Sequence, residues 1–195
     1  LLAVESKSVL AVLYQVPNQP LTFADETFGR SEDSLIAHTL GAYLDSVEAG
    51  AEDEEWPALL PMVKSAVRAM DTVQDFTAES LEDQVEKADS LKQKVNTIDH
   101  FVVAGGSKRG WTTWLTAAAD SRVVGIAPLV FDALKLDEQM AHQHDVYGYY
   151  SEAVYDYVEA GVLQRLGTPE GQALLDIVDP YEYRDRLTIP KLIIN

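Results

Sequence analysis

Apolar positions fall into short continuous runs and longer stretches with a spacing of three to four residues. Ser8 to Val16 (SVLAVLYQV) is continuous and β-rich, the pattern of a strand covered on both faces. Pro17-Asn18-Gln19-Pro20 stops it and forces a turn. From Ser31 to Leu44 the spacing becomes helical: Ser31 can cap, and Leu35, Ile36, Thr39, Leu40 and Tyr43 share one side. The acidic stretch Glu48 to Glu55, around Gly50, reads as a solvated loop. Trp56-Pro57 opens a second helix, with Leu59, Val63, Ala66, Val67, Met70 and Val73 on one face. Thr77 to Lys94 predicts a short exposed helix whose Glu79, Glu82, Asp83 and Glu86 form a solvated face. It lacks the glycine-bearing loop of a calcium hand.

A second strand follows at His100–Ala104, then Gly105-Gly106-Ser107-Lys108-Arg109-Gly110. An alanine-rich helical segment comes next, carrying Trp111, Trp114 and Leu115. Arg122 to Phe131 is a third buried strand and ends on Asp132. Ile189 to Asn195 is a fourth. Between the last two, 133–186 shows no strand signal but several aromatic helical segments, including a Gly-Thr-Pro helix start at 167–169. Strands alternating with helices predict an α/β fold: a parallel sheet flanked by helices on both faces. An insertion of such length is too long for a crossover loop and predicts a helical cap. The expected organisation is therefore a core over 1–132, a cap insertion over 133–186 and a last core strand over 187–195.

Strand, sharp turn and helix around Ser107 is the layout of a nucleophile elbow, where a serine stands on a strained turn above a parallel sheet. Glycines allow such a turn and a close approach of helix to strand. The usual spacing is G-x-S-x-G, and here the glycine comes one residue late, at Gly110. Gly-Gly-Ser also makes ordinary loops and helix caps. Lys108 and Arg109 open a helix against its dipole. Solvated cations, an oxyanion near Ser107 and a salt bridge to a carboxylate are three readings of that placement. The backbone N–H of Lys108 is the one oxyanion donor in view.

Composition narrows the classes. The 195 residues carry 32 acidic against 15 basic side chains, a net charge of −17 that disfavours nucleic acid and anionic membrane surfaces as partners. No run is long enough for a membrane span. With no cysteine there is neither disulfide nor thiolate metal site, and the histidines and carboxylates show no ligand spacing; no cofactor or metal is expected.

The blocks Tyr14-Gln15-Val16-Pro17-Asn18-Gln19-Pro20-Leu21, Ser31-Glu32-Asp33, Trp56-Pro57 to Pro61-Met62 and Arg68-Ala69-Met70-Asp71 are specific in combination. So are Gly105 to Trp111, Asp179-Pro180-Tyr181 and Pro190 to Asn195. Together they resemble the PhoPQ-activated pathogenicity-related proteins, a branch of the α/β-hydrolase fold that includes autocrine proliferation repressors. The Ser-Lys-Arg-Gly turn is what that family would show. It is also similar to the Ser-Arg-x-Gly elbow of glucuronoyl esterases, where a cation helps hold the oxyanion. The resemblance implies that Val9–Tyr14 is the fourth strand of a hydrolase sheet. Three strands would precede it, and a triad acid and histidine would follow Asn195, so the chain reads as the middle of a larger protein. It also implies export, to the periplasm or outside the cell.

A serine needs a base and an orienting acid. His38 lies on a helix and reads as structural. His100 starts the strand bearing Ser107 and lies over ~13 Å from Gly105, at about 3.3 Å per residue. His142 and His144 lie in the cap and could overhang the site. Asp132, directly after the third strand, is the candidate acid within the chain, or else a helix cap. Trp111 and Trp114 read as core, and Tyr147, Tyr149, Tyr150, Tyr155 and Tyr157 as cap packing. The candidate catalytic residues are thus Ser107, Lys108 and Asp132. The expected function is a serine hydrolase of esterase or peptidase type acting on a small molecule or peptide. The alternative is an inactive hydrolase fold serving as a secreted binding, signalling or virulence protein. Edges left open by missing strands would favour homo-oligomers.

Overall fold

The computed structural model describes residues 2–51, 53–87, 98–131 and 133–195. Helices α1 (Leu2–Ser6), α2 (Glu32–Glu48) and α3 (Leu59–Lys87) precede strand β1 (Phe101–Gly106), helix α4 (Lys108–Ala119) and strand β2 (Val123–Leu129). Four more helices follow: α5 (Leu136–Tyr147), α6 (Tyr155–Glu159), α7 (Val162–Arg165) and α8 (Pro169–Val178). Single turns of 3-10 helix lie at Glu152–Val154 and Pro180–Tyr183.

The sheet is small. β1 and β2 pair in parallel from Phe101↔Val123 to Gly106↔Leu129, with one register shift between Phe101 and Val102. Parallel neighbours need a crossover, and α4 supplies it. The predicted strand at the end of the chain lies along the other side of β2. There Leu192 N–H donates to Ile126 O (2.9 Å) and Ile194 N–H to Pro128 O (3.2 Å), as parallel bridges rather than a regular ladder.

Three expectations are corrected. Ser8–Val16 forms no strand: Val9, Leu10, Val12, Leu13 and Tyr14 are all exposed, Tyr14 at 79%. A β-rich run becomes a strand only beside a partner strand that takes its N–H and C=O groups in turn, and among the described residues no strand pairs with it. Among the described residues, the sheet is also not covered on both faces. Burial alternates along β1, and Val102 is 71% exposed, because α3 and α4 pack from one side. Finally, the helices expected at 57–73 and 77–94 are one helix as far as Lys87. The polar Thr77–Lys87 stretch has no proline or glycine to break it; the remainder of that predicted helix, 88–94, lies outside the described residues.

Two apolar clusters hold the molecule. One joins α3, α4 and the sheet through Met70, Trp114, Ala117, Val123, Ile126 and Leu187. The larger sits between α2, α4 and the 133–186 insertion, with Leu40, Leu44, Met62, Trp111, Leu166, Leu174 and Val178 among its members. α4 can be buried nearly all round because its threonines are self-satisfied. Thr112, Thr113 and Thr116 hydroxyls donate to the carbonyls of Lys108, Arg109 and Thr112 at 3.0, 2.8 and 2.7 Å. Within the insertion, α8 starts as predicted: Thr168 Oγ1 accepts from Gly171 N–H (3.1 Å) and Pro169 follows it.

Candidate active site

Ser107 is the single residue between β1 and α4, with φ 55° and ψ −124°. Its N–H donates to Leu129 O (2.8 Å) at the end of β2, and its carbonyl accepts from Trp111 N–H (3.0 Å). The turn is held from both sides. The glycines show why the strand and helix can meet so closely. A Cβ on Gly105 would lie 2.5 Å from Arg109 O, and one on Gly110 would lie 2.9 Å from Phe131 Cβ and 3.0 Å from Leu129 O. Gly110 faces the end of β2, which is why the late glycine fits this turn. At Gly106 a Cβ would meet nothing within 4 Å.

Ser107 opens onto a cavity of about 240 Å³. The insertion supplies most of its wall, including Leu136, Met140, Tyr157, Val162, Leu166, Leu174 and Val178. Leu40 of α2, Trp111 of α4 and Val130 and Phe131 after β2 also line it, with Asp33 and Lys108 near the serine. Residues between 133 and 178 thus share the cavity wall with Ser107. Trp111 is both core and wall: its indole N–H donates to Val178 O (2.6 Å) and its ring stacks on Phe131 at 5.1 Å. Trp114 is buried in the smaller cluster, away from the cavity. Of the tyrosine group only Tyr157 is buried and on the wall; Tyr147, Tyr149 and Tyr155 are exposed.

The two cations after Ser107 have found carboxylates. Lys108, with a side chain only 5% exposed, pairs through Nζ with Glu32 Oε2 (2.7 Å) and Asp33 Oδ2 (3.2 Å) at the start of α2. Arg109 grips Glu32 with both terminal nitrogens (2.9 and 2.8 Å) and donates from Nε to Val16 O (2.8 Å). Gln19 closes the cluster by donating to Glu32 Oε1 and accepting from Glu32 N–H (2.8 Å). Tyr157 OH donates to Asp33 Oδ1 (3.1 Å), tying α6 of the insertion to α2. The solvated-cation reading of Lys108 and Arg109 is therefore replaced by an ion-pair network, in which burial makes the geometry matter.

Electrostatics follow from these contacts. Arg109, Lys108 and Gln19 hold the Glu32 carboxyl far below the usual carboxylate range. Burial, and then the nearby Asp33 carboxylate, push the Tyr157 phenol well above its usual range. Across the insertion, Asp179 is 2% exposed, and its carboxylate accepts from the N–H groups of Leu136 (2.8 Å), Lys135 (3.3 Å) and Tyr181 (2.8 Å). Burial pushes its pKa up against those three donors. It caps α5 and the following 3-10 turn together, so it sets where the cavity wall begins.

The four histidines do not gather at Ser107. His38 packs against the Phe23 ring at 4.2 Å, as a structural histidine does. His100 is exposed at the far end of β1. His142 and His144 are exposed on α5 and do not line the cavity. Asp132 lies outside the described residues. In the sequence Glu32 and Asp33 stand only within a block of the resemblance and Tyr157 only among the cap tyrosines, with no mark of a site on any of them. The signal available was the pair of cations at a helix N-terminus, which called for partners; which carboxylates answered is set by a contact across 75 residues and more.

Strain marks the same place. Non-glycine residues with positive φ include Ser107, Val130 (φ 46°) and Glu32 (φ 54°). Val130 lies on the cavity wall and Glu32 holds both cations. Such outliers cluster at functional sites, and a β-branched residue there is unusual.

All of residues 1–195 match the family described as PhoPQ-activated pathogenicity-related protein. The chain belongs to that family. It is also similar to autocrine proliferation repressor protein A of Dictyostelium discoideum, 38% identical over 190 residues, or 97% of this chain and 35% of that relative. The chain thus spans about a third of the length of the curated relative it matches. No solved structure matches it. In this family member, as far as the described residues go, no helix is long and apolar enough to cross a membrane.

Proposed function

We propose that Ser107 is the nucleophile of a serine hydrolase of the α/β-hydrolase superfamily, of esterase or peptidase type. The observation that carries this reading is the positive-φ backbone of Ser107 between a parallel strand and a helix, on the wall of a cavity. A nucleophile elbow holds its serine in this way, with Oγ lifted above the strand ends. α4 begins at Lys108, so its unpaired N–H groups and positive dipole end lie beside the serine. The Lys108 N–H serves as oxyanion donor, and its side chain, anchored by Glu32 and Asp33, fixes that amide in place. A base takes the Ser107 proton, Oγ adds to the substrate carbonyl, and the alcohol or amine leaves with a proton; water then releases the acid.

With no histidine among the described residues on the cavity wall, the base in this reading belongs to sequence outside these 195 residues. The orienting acid is either Asp132 or a residue from the same outside sequence. Export from the cytoplasm belongs to the proposal and rests on family membership. The test is hydrolysis of p-nitrophenyl acetate by the full-length gene product. Ser107→Ala is expected to lower kcat by about 10³-fold or more, as loss of a triad serine does. Hydrolysis that survives Ser107→Ala within tenfold would sink the reading.

A further inference from the structure

We infer that the cavity beside Ser107 is an acyl pocket, and that the substrate carries an uncharged apolar acyl chain of about eight to ten non-hydrogen atoms. The inference rests on the nucleophilic reading of Ser107. Size comes from volume: a dry cavity of about 150 Å³ accommodates benzene, so about 240 Å³ accommodates a chain of roughly that length.

Chemistry comes from the walls. Leu40, Leu174 and Val178 are each 1% exposed overall, and with Trp111, Leu166 and Met140 they present carbon to the cavity. The indole N–H of Trp111 is engaged by Val178 O, so it presents no donor. The polar groups sit together at the serine end. Lys108 and Asp33 neutralise each other there at 3.2 Å, and the Tyr157 hydroxyl donates to Asp33. Away from the serine end, the described wall residues offer a charged or sugar-like acyl group no counter-ion and no donor, so it would lose its water unreplaced. An apolar chain loses nothing. The scissile carbonyl then lies at Ser107, where Oγ bonds to the carbonyl carbon as the alcohol departs with the serine proton. Water cleaves the acyl-serine to a fatty acid and restores the hydroxyl.

The experiment is a p-nitrophenyl ester series from acetate to laurate on the full-length gene product. It is run beside binding of neutral methyl octanoate to Ser107→Ala, read by tryptophan fluorescence. Each added methylene should raise kcat/KM about fourfold until the pocket is full, with a fall beyond about ten carbons. Leu174→Phe should move that optimum at least two carbons shorter. Met140→Phe, on the less buried helical wall, should do the same if Leu174→Phe fails to fold. A flat series with the serine still reactive would overturn the acyl pocket and leave the hydrolase reading standing. Saturable methyl octanoate binding, weakened by either wall variant, with no ester turned over, would keep the pocket and remove the hydrolase reading. Neither turnover nor binding would remove both.

Discussion

Ser107 at φ 55° and Val130 at φ 46° occupy backbone regions that burden a non-glycine residue by about 1–3 kcal/mol each. The surrounding hydrogen bonds and close packing hold them there, and that packing depends on two particular glycines. Gly105→Ala and Gly110→Ala each drive a methyl into backbone or Phe131. They should destabilise by about 2–4 kcal/mol in a denaturant titration, whereas Gly106→Ala, with open space around it, should stay within about 1 kcal/mol. Equal effects at all three positions would contradict the turn geometry. Glu32 makes a pH prediction. Its carboxyl has an ordinary value of 4.5 and is lowered in the folded chain by Arg109, Lys108 and Gln19. The unfolded state therefore binds the proton first as pH falls. The stabilisation is complete above about pH 4.5 and drains away below it. Wild-type stability should drop more steeply than that of Glu32→Gln between about pH 4.5 and pH 2, the variant being weaker at pH 7 by about 1–3 kcal/mol. Parallel curves would show that Glu32 does not carry the ion pairs.

At the scale of elements, two tethers position the site. Arg109 holds the chain at Val16 O and Glu32 together, so it anchors the exposed 8–16 run at its Val16 end. Arg109→Lys cannot make the forked contact, and limited proteolysis should then nick residues 8–20 several-fold faster than in wild type. Unchanged nicking would mean that the run is held elsewhere. Asp179 is the second tether. Asp179→Ala strips three N–H groups of their acceptor and should lower stability by about 2–3 kcal/mol, a fall in Tm of about 4–12 °C. Much of this was legible locally. The α8 start at Thr168-Pro169, the helical face of α2 and the strand–serine–helix order all follow from neighbours a few residues apart. The Ser8–Val16 run was misread because a strand is a relation between two segments, and the apolar pattern names only one. The long α3 was divided because polar composition lowers amphipathicity without breaking a helix.

For the whole molecule, the cavity shares much of its apolar lining with the large cluster between α2, α4 and the insertion. On the insertion's side of the cavity, α5 carries no buried side chain. The ion-pair network at Glu32, Asp33, Lys108 and Tyr157 was invisible to sequence for the opposite reason to the helices. Each of its contacts joins residues 75 or more positions apart, and only the folded chain brings them together. In the proposed hydrolase Ser107 is the nucleophile. The direct measurement is labelling with a fluorophosphonate probe, the adduct mapped by mass spectrometry, on the 195-residue chain and on the full-length gene product, with Ser107→Ala as control. An adduct on Ser107 of the full-length protein, absent from Ser107→Ala, is the predicted result. Full-length folded protein that carries no adduct at Ser107 would contradict it.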